Sequence, residues 1–315
     1  IETLGPTWTP SNTPTPTETP LPTATPLPLT TYTLLTAGQR RGQDGWSLYT
    51  LRADGSDEQA LPLTPGSDLS DVTVMDAYDP AFSPDGSQIV FSVHLSEAGG
   101  DEYEDLFIIS SDGGTMERLT NLFASHVEGA SWSPDGTQLV FASDSDGDYD
   151  IYVMSVEGGS PRPLTSNEAE DRYPAWSPDG TWIAYASDAT GPGTLEVWRM
   201  DPEGQQVKQL TDNQNSSLAP AWSPDSQSIA FVSNRRAHYD LYVMTPNGDG
   251  ERALLVRDVE ADEYGPAWSQ DGLWIAFSSD RESAVFDLFL IRPDGSDIQR
   301  ITTRDGDSRD VVWQP

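Results

Sequence analysis

Five stretches decide the fold: PAFSPDG at 80–86, ASWSPDG at 130–136, PAWSPDG at 174–180, PAWSPDS at 220–226 and PAWSQDG at 266–272. VVWQP at 311–315 is the same phrase cut short. The aromatic anchors Phe82, Trp132, Trp176, Trp222, Trp268 and Trp313 stand 50, 44, 46, 46 and 45 residues apart. A period in the forties with several short strands per unit marks a β-propeller rather than a stack of helices.

Each unit reads outward from its phrase as four strands. The first carries Pro-Ala-Trp and ends in Ser-Pro-Asp-Gly, where proline presets φ and Asp-Gly supplies the bend. The second is apolar, as in IVFSV at 89–93 and LVFAS at 139–143, and the third opens on an acid, as in DLFII at 105–109 and DIYVM at 150–154. The fourth closes on Leu-Thr or Ile-Thr at 119–120, 164–165, 210–211 and 301–302. Runs this rich in β-branched and aromatic residues argue for an all-β chain.

Five complete units lie between 79 and 302. Residues 31–38 and 46–64 match the second to fourth strands of another, and 310–315 supplies its missing first strand. The expectation is a six-bladed propeller over 31–315, closed by a blade shared between the two ends, so that no sheet edge is left open at the seam.

Residues 1–30 are a different polymer. The first 28 hold nine threonines and eight prolines with no lysine or arginine. Proline removes donors and fixes φ, so this segment reads as extended polyproline II, reaching roughly 85 Å at about 3.1 Å per residue. By size scaling the propeller is a disc roughly 45–50 Å across, so the tail outreaches it. Ile1, Leu4 and Trp8 are its apolar anchors for docking on a neighbouring copy. Thr13, Thr15, Thr17, Thr19, Thr23 and Thr25 are candidate O-glycosylation sites of an exported stalk.

The charge is lopsided: 51 acidic against 17 basic residues among 315, formally −34, with Lys208 the only lysine and no cysteine. Such a surface repels phosphate backbones and anionic lipid, which argues against nucleic-acid and membrane partners. Cysteine nucleophiles, thiolate metal sites and disulfides are excluded outright. No apolar run approaches the roughly 18 residues of a membrane span. A first residue that is not Met reads as a removed leader, placing the chain outside the cell or on its surface, with the periplasm as the alternative.

Catalytic motifs are sparse. His94, His126 and His238 fall in different units, and no Gly-x-Ser-x-Gly elbow or His-Glu-x-x-His pair is present. Two acidic features remain. In DSDGDYD, Asp144, Asp146, Asp148 and Asp150 alternate around Gly147; a Ca²⁺ loop and a plain acidic turn both fit, and no cofactor is required. The loops feeding the first strands carry Asp79, Glu128, Asp171, Glu263 and Asp310, expected to converge as an acidic ring at one channel mouth and either to attract a cation or to form a solvated rim. Arg172 and Arg309 lie in the same loops. The repeating acid of the third strand reads as structural.

These repeats resemble the SPDG-type propellers of the TolB family, relatives of the tryptophan–aspartate repeats. The resemblance spans roughly residues 31–315 and rests on the Ser-Pro/Gln-Asp turns in register with the Asp/Glu-aromatic strands. It implies a periplasmic protein of the Tol–Pal envelope system that binds other envelope proteins. TolB carries an α/β domain ahead of its propeller, where this chain has its Thr/Pro tail. The expected function is therefore a non-enzymatic extracellular protein that self-assembles head-to-tail into a filament, its tail docking on a neighbouring propeller. A monomeric TolB-like binding propeller is the alternative, and a metal-dependent enzyme using the acidic mouth is a second.

Overall fold

The computed structural model describes residues 27–122, 124–255, 261–303 and 306–315. The tail residues Ile1, Leu4 and Trp8 and the six threonines lie outside them.

Six four-stranded antiparallel sheets follow one another in order. Blade 1 comprises Val72–Phe82, Gln88–Glu97, Glu102–Ser110 and Glu117–Arg118; blade 2 comprises Val127–Trp132, Gln138–Ser143, Asp150–Ser155 and Arg162–Pro163. Blades 3 and 4 open with Asp171–Trp176 and Ser217–Trp222, and blade 5 with Glu263–Trp268. Blade 6 takes its first strand, Gly306–Trp313, from the end of the chain, and Thr33–Arg40, Ser47–Arg52 and Gln59–Ala60 from its beginning. Each end of the chain thus satisfies the ladder hydrogen bonds of the other. No helix among the described residues is long and apolar enough to cross a membrane.

The second strands of blades 2 to 5 are buried on both faces, so they read as continuous apolar runs rather than alternating ones. Aromatic pairs face each other across the second and third strands. Phe141 and Tyr152 stack at 5.8 Å, Phe231 and Tyr242 at 5.6 Å, and Phe277 and Phe289 at 5.7 Å. Between blades the anchors work as struts. The indole N–H of Trp132, Trp222, Trp268 and Trp313 donates to the carbonyl of Ala81, Ala175, Ala221 and Ala267 in the blade before, at 2.9–3.2 Å. The indole N–H of Trp176 is buried without a partner.

The Ser-Pro-Asp-Gly turn holds itself together. In blade 1, Ser83 Oγ donates to Asp85 Oδ1 at 2.6 Å, Asp85 Oδ1 accepts the Ser87 amide at 3.0 Å, and the Gln88 amide donates back to Ser83 Oγ at 3.0 Å. These donors favour the ionised acid and draw Asp85 down to about 2. The same triplet recurs in blades 2 to 5, which explains why Ser and Asp persist while the glycine position admits Ser226.

The third-strand acid is structural, as its register suggested. Asp105 accepts Thr120 Oγ1 and the Leu122 amide and pairs with Arg118. Asp287 accepts Thr302 Oγ1 at 2.9 Å and pairs with Arg300 at 2.5 Å.

Candidate functional site

The first strand of every blade carries a bulge, where its register with the second strand slips. At each bulge one residue takes a left-handed conformation: Asp79 (φ 48°), Gly129 (64°), Tyr173 (55°), Ala219 (52°), Gly265 (55°) and Asp310 (50°). Four of the six are not glycine, and three of those four precede a proline, which disfavours helical backbone. Strain repeated at one place in every blade is an imposed feature of the axis.

The bulges ring an axial cavity of about 950 Å³. One wall carries Asp79, Glu128 and Asp310, from blades 1, 2 and 6; the other carries Tyr173, Leu218, Tyr239 and Tyr264. Prolines and anchor tryptophans of the Ser-Pro-Asp-Gly turns line its mouth.

The expected ring of five carboxylates does not form. Asp171 is wholly buried, accepting Asn167 Nδ2 at 2.9 Å. Glu263 is 2% exposed and pairs with Arg281. The reason is strand alternation. Counted from the anchor tryptophan, Asp171 and Glu263 share the position of Val127, Ser217 and Ser308, all buried. Glu128 stands one residue later, and one residue turns a side chain to the opposite face. Burial pushes Glu263 up to about 7 against the pull of Arg281, and pushes Asp171 up as well.

The three carboxylates at the cavity are largely offset from within. Glu128 takes a two-pronged bond from Arg172, at 2.6 and 2.7 Å, and Arg172 lies 4.2 Å over the Tyr149 ring. Asp79 and Asp310 are within hydrogen-bonding reach of each other, and the Gly129 amide donates to Asp79 Oδ2 at 3.2 Å. Burial and the charges of Asp310 and Glu128 hold Asp79 well above the usual carboxylate range. Arg309 adds a cation, 4.3 Å over the Phe286 ring. Two arginines thus stand beside the three carboxylates, and the rest of the lining is largely aromatic.

Sequence reasoning missed Tyr173, Tyr239 and Tyr264. For Tyr173 and Tyr264 the signal available was the residue pair before each Pro-Ala, where the repeat stops repeating; Tyr239, which precedes the third-strand Asp240, carried no such signal.

The three histidines stay at the edges. His126 Nδ1 lies 2.9 Å from Asp144, His94 Nδ1 3.4 Å from Asp76 and His238 Nδ1 3.7 Å from Asp262; none lines the axial cavity. Asp144 is thereby separated from the acidic hairpin in which its spacing placed it. The remaining three, Asp146, Asp148 and Asp150, have ligand oxygens within 4.8 Å of one another.

Comparisons with known proteins agree with this architecture. The chain is 31% identical over 138 residues to the Tol-Pal system protein TolB of Anaeromyxobacter dehalogenans (strain 2CP-C), a match covering 44% of this chain and 28% of that protein. Over 102 residues it is 34% identical to the uncharacterized peptidase YuxL of Bacillus subtilis (strain 168), covering 30% of this chain and 15% of the other. The chain thus spans less than a third of the length of these curated relatives. The crystal structure of TolB from Acinetobacter baumannii superposes with a TM-score of 0.70 at 19% identity, covering 91% of this chain and 68% of the other; this likeness shows the fold alone. The profile of the TolB beta propeller domain matches residues 69–217 and again 174–315, so the chain belongs to the TolB beta propeller domain family.

Proposed function

We propose that this propeller is a non-enzymatic binding module that receives an extended segment of a partner protein in its axial cavity, at the cell envelope or outside the cell. The cavity carries the reading: about 950 Å³, walled by tyrosines and tryptophans, with Glu128 already paired to Arg172. Such a lining suits a segment that stacks and hydrogen-bonds rather than a bare ion. The relatives named for the Tol-Pal system support an envelope partner. A displayed peptide library selected on the full chain tests this. Enriched peptides should lose at least tenfold in affinity to Tyr173→Ala; binders indifferent to both Tyr173→Ala and Tyr264→Ala would overturn it.

A second reading makes the partner another copy of this chain, joined head-to-tail by residues 1–26. One observation favours it. Leu27 lies in a groove of about 460 Å³ with Tyr32, Asp271 and Trp313, and Gln270, Trp313 and Pro315 of that groove also line the axial cavity. Leu27, the first described residue, therefore lies beside a mouth lined with proline and tryptophan. Sedimentation and electron microscopy of the full chain and of residues 27–315 test it. Assemblies that persist without residues 1–26 refute the tail as connector.

A further inference from the structure

In blades 1 and 5 an arginine answers the buried acid that opens the third strand, and in blade 2 none does among the described residues. Arg118 in blade 1 and Arg300 in blade 5 each stand two residues before the threonine that caps the third-strand acid, and each pairs with that acid, Asp105 or Asp287. Blade 2 keeps the acid and the threonine: Thr165 Oγ1 donates to Asp150 Oδ1 at 2.8 Å. In place of the arginine it has Pro163. Among the described residues no arginine or lysine pairs with Asp150, which is 1% exposed. Its neighbours are instead two more carboxylates of the same hairpin, Asp146 and Asp148.

The oxygens around it are also left over. Asp148 Oδ2 is shut from solvent without a hydrogen-bond partner. So is Asp171 Oδ1, on a wholly buried carboxylate of the next blade whose charge bears on Asp150. A buried carboxylate oxygen with no donor is costly, and here several crowd together without a counter-charge.

We propose that Asp146, Asp148 and Asp150 bind a calcium ion in the hairpin of blade 2, which replaces the arginine that blades 1 and 5 supply. The donor set is all oxygen, with no imidazole or thiolate, which selects a hard cation over zinc. Its ligand oxygens lie within 4.8 Å of one another, close enough to share one ion. Magnesium demands strict octahedral geometry and gives up its waters reluctantly, so a hairpin of carboxylates favours calcium. Water completes the shell on the exposed side, where Asp146 lies. The ion would fasten the loop to the buried start of the third strand, and through Thr165 to the fourth.

The test uses the full chain and calcium chloride alone. Calorimetry should give one ion per chain with a Kd of roughly 0.1–1 mM, the range of extracellular calcium modules. At a hundredfold excess over Kd the melting temperature should rise by roughly 4 °C. Terbium bound in place of calcium should luminesce through Tyr149 and Tyr152, which flank the site in sequence. The double variant Asp146→Asn/Asp148→Asn sits in the loop and leaves the blade intact; it should weaken binding at least tenfold and abolish the thermal shift and the luminescence. The proposal fails if calcium does not bind up to about 10 mM. It fails equally if the double variant binds as the native chain does, or if Asp79→Asn removes the ion instead, which would place it in the axial cavity.

Discussion

Replacing Glu263 by glutamine tests the placement that overturned the acidic ring. Glutamine keeps the shape and removes the titration. In the folded protein burial raises this carboxyl from 4.5 to about 7 despite Arg281. Below the unfolded value both states hold the proton and the acid costs nothing. Between 4.5 and about 7 the unfolded chain releases it while the folded chain keeps it, so stability falls as pH rises. At about 1.4 kcal/mol per pH unit the whole window is worth about 3 kcal/mol. The Glu263→Gln variant lacks this loss. Relative to the native chain it should therefore gain about 3 kcal/mol between about pH 4 and about pH 8, or roughly 5 °C in melting temperature for a domain of this size. Leaving Arg281 without its counter-charge adds an offset that does not vary with pH, so the change in the difference is the observable. Thermal melts of both proteins across that range measure it. A difference flat with pH would mean that Glu263 titrates in water, as a channel-mouth residue would, and the buried placement would be wrong.

Trp222→Phe should cost about 1–2 kcal/mol, because it removes the indole bond to Ala175 at 3.0 Å; Trp176→Phe, whose N–H has no partner, should cost less, and equal losses in urea melts would refute the strut. Gly129→Ala should destabilise by about 1–2 kcal/mol through its left-handed backbone, since the new methyl meets nothing closer than Pro174 Cδ at 3.4 Å; a neutral result would deny that the bulge is strained. Asp79→Asn should grow more stable relative to the native chain as pH rises, because Asp79 is held above its ordinary range by burial and by Asp310; melts at acid and alkaline pH that show the opposite trend would refute the raised titration.

The blades were legible because their signals are local. Ser-Pro-Asp-Gly encodes a turn that satisfies its own donors within five residues, and the anchor tryptophans set a period that needs no tertiary information. The blade formed from both ends was legible because VVWQP can only be a first strand. The axial site was not, for a reason of phase. A bulge adds one residue to a strand, and one residue reverses which face a side chain takes. Asp79 and Asp310 sit at the bulge, Glu128 just before it, and Asp171 and Glu263 one residue further back. Grouped by charge they looked like one ring; grouped by register they are three layers, and only two of those reach the cavity.

Register also separates what the fold requires from what the site can vary. At the buried layer the six residues are Ala77, Val127, Asp171, Ser217, Glu263 and Ser308, each no more than 2% exposed, and the acids among them are held by hydrogen bonds or an arginine. At the layer before the bulge they are Tyr78, Glu128, Arg172, Leu218, Tyr264 and Arg309, six side chains with almost no common chemistry. A position that the blade does not need for packing is free to diverge, and five of these six line the axial cavity while Arg172 reaches it through Glu128. Function in this propeller is therefore to be read where the repeat departs from itself. The hairpin of blade 2 obeys the same rule: Pro163 stands where blades 1 and 5 place an arginine, and the charge left unanswered there is a departure of the same kind.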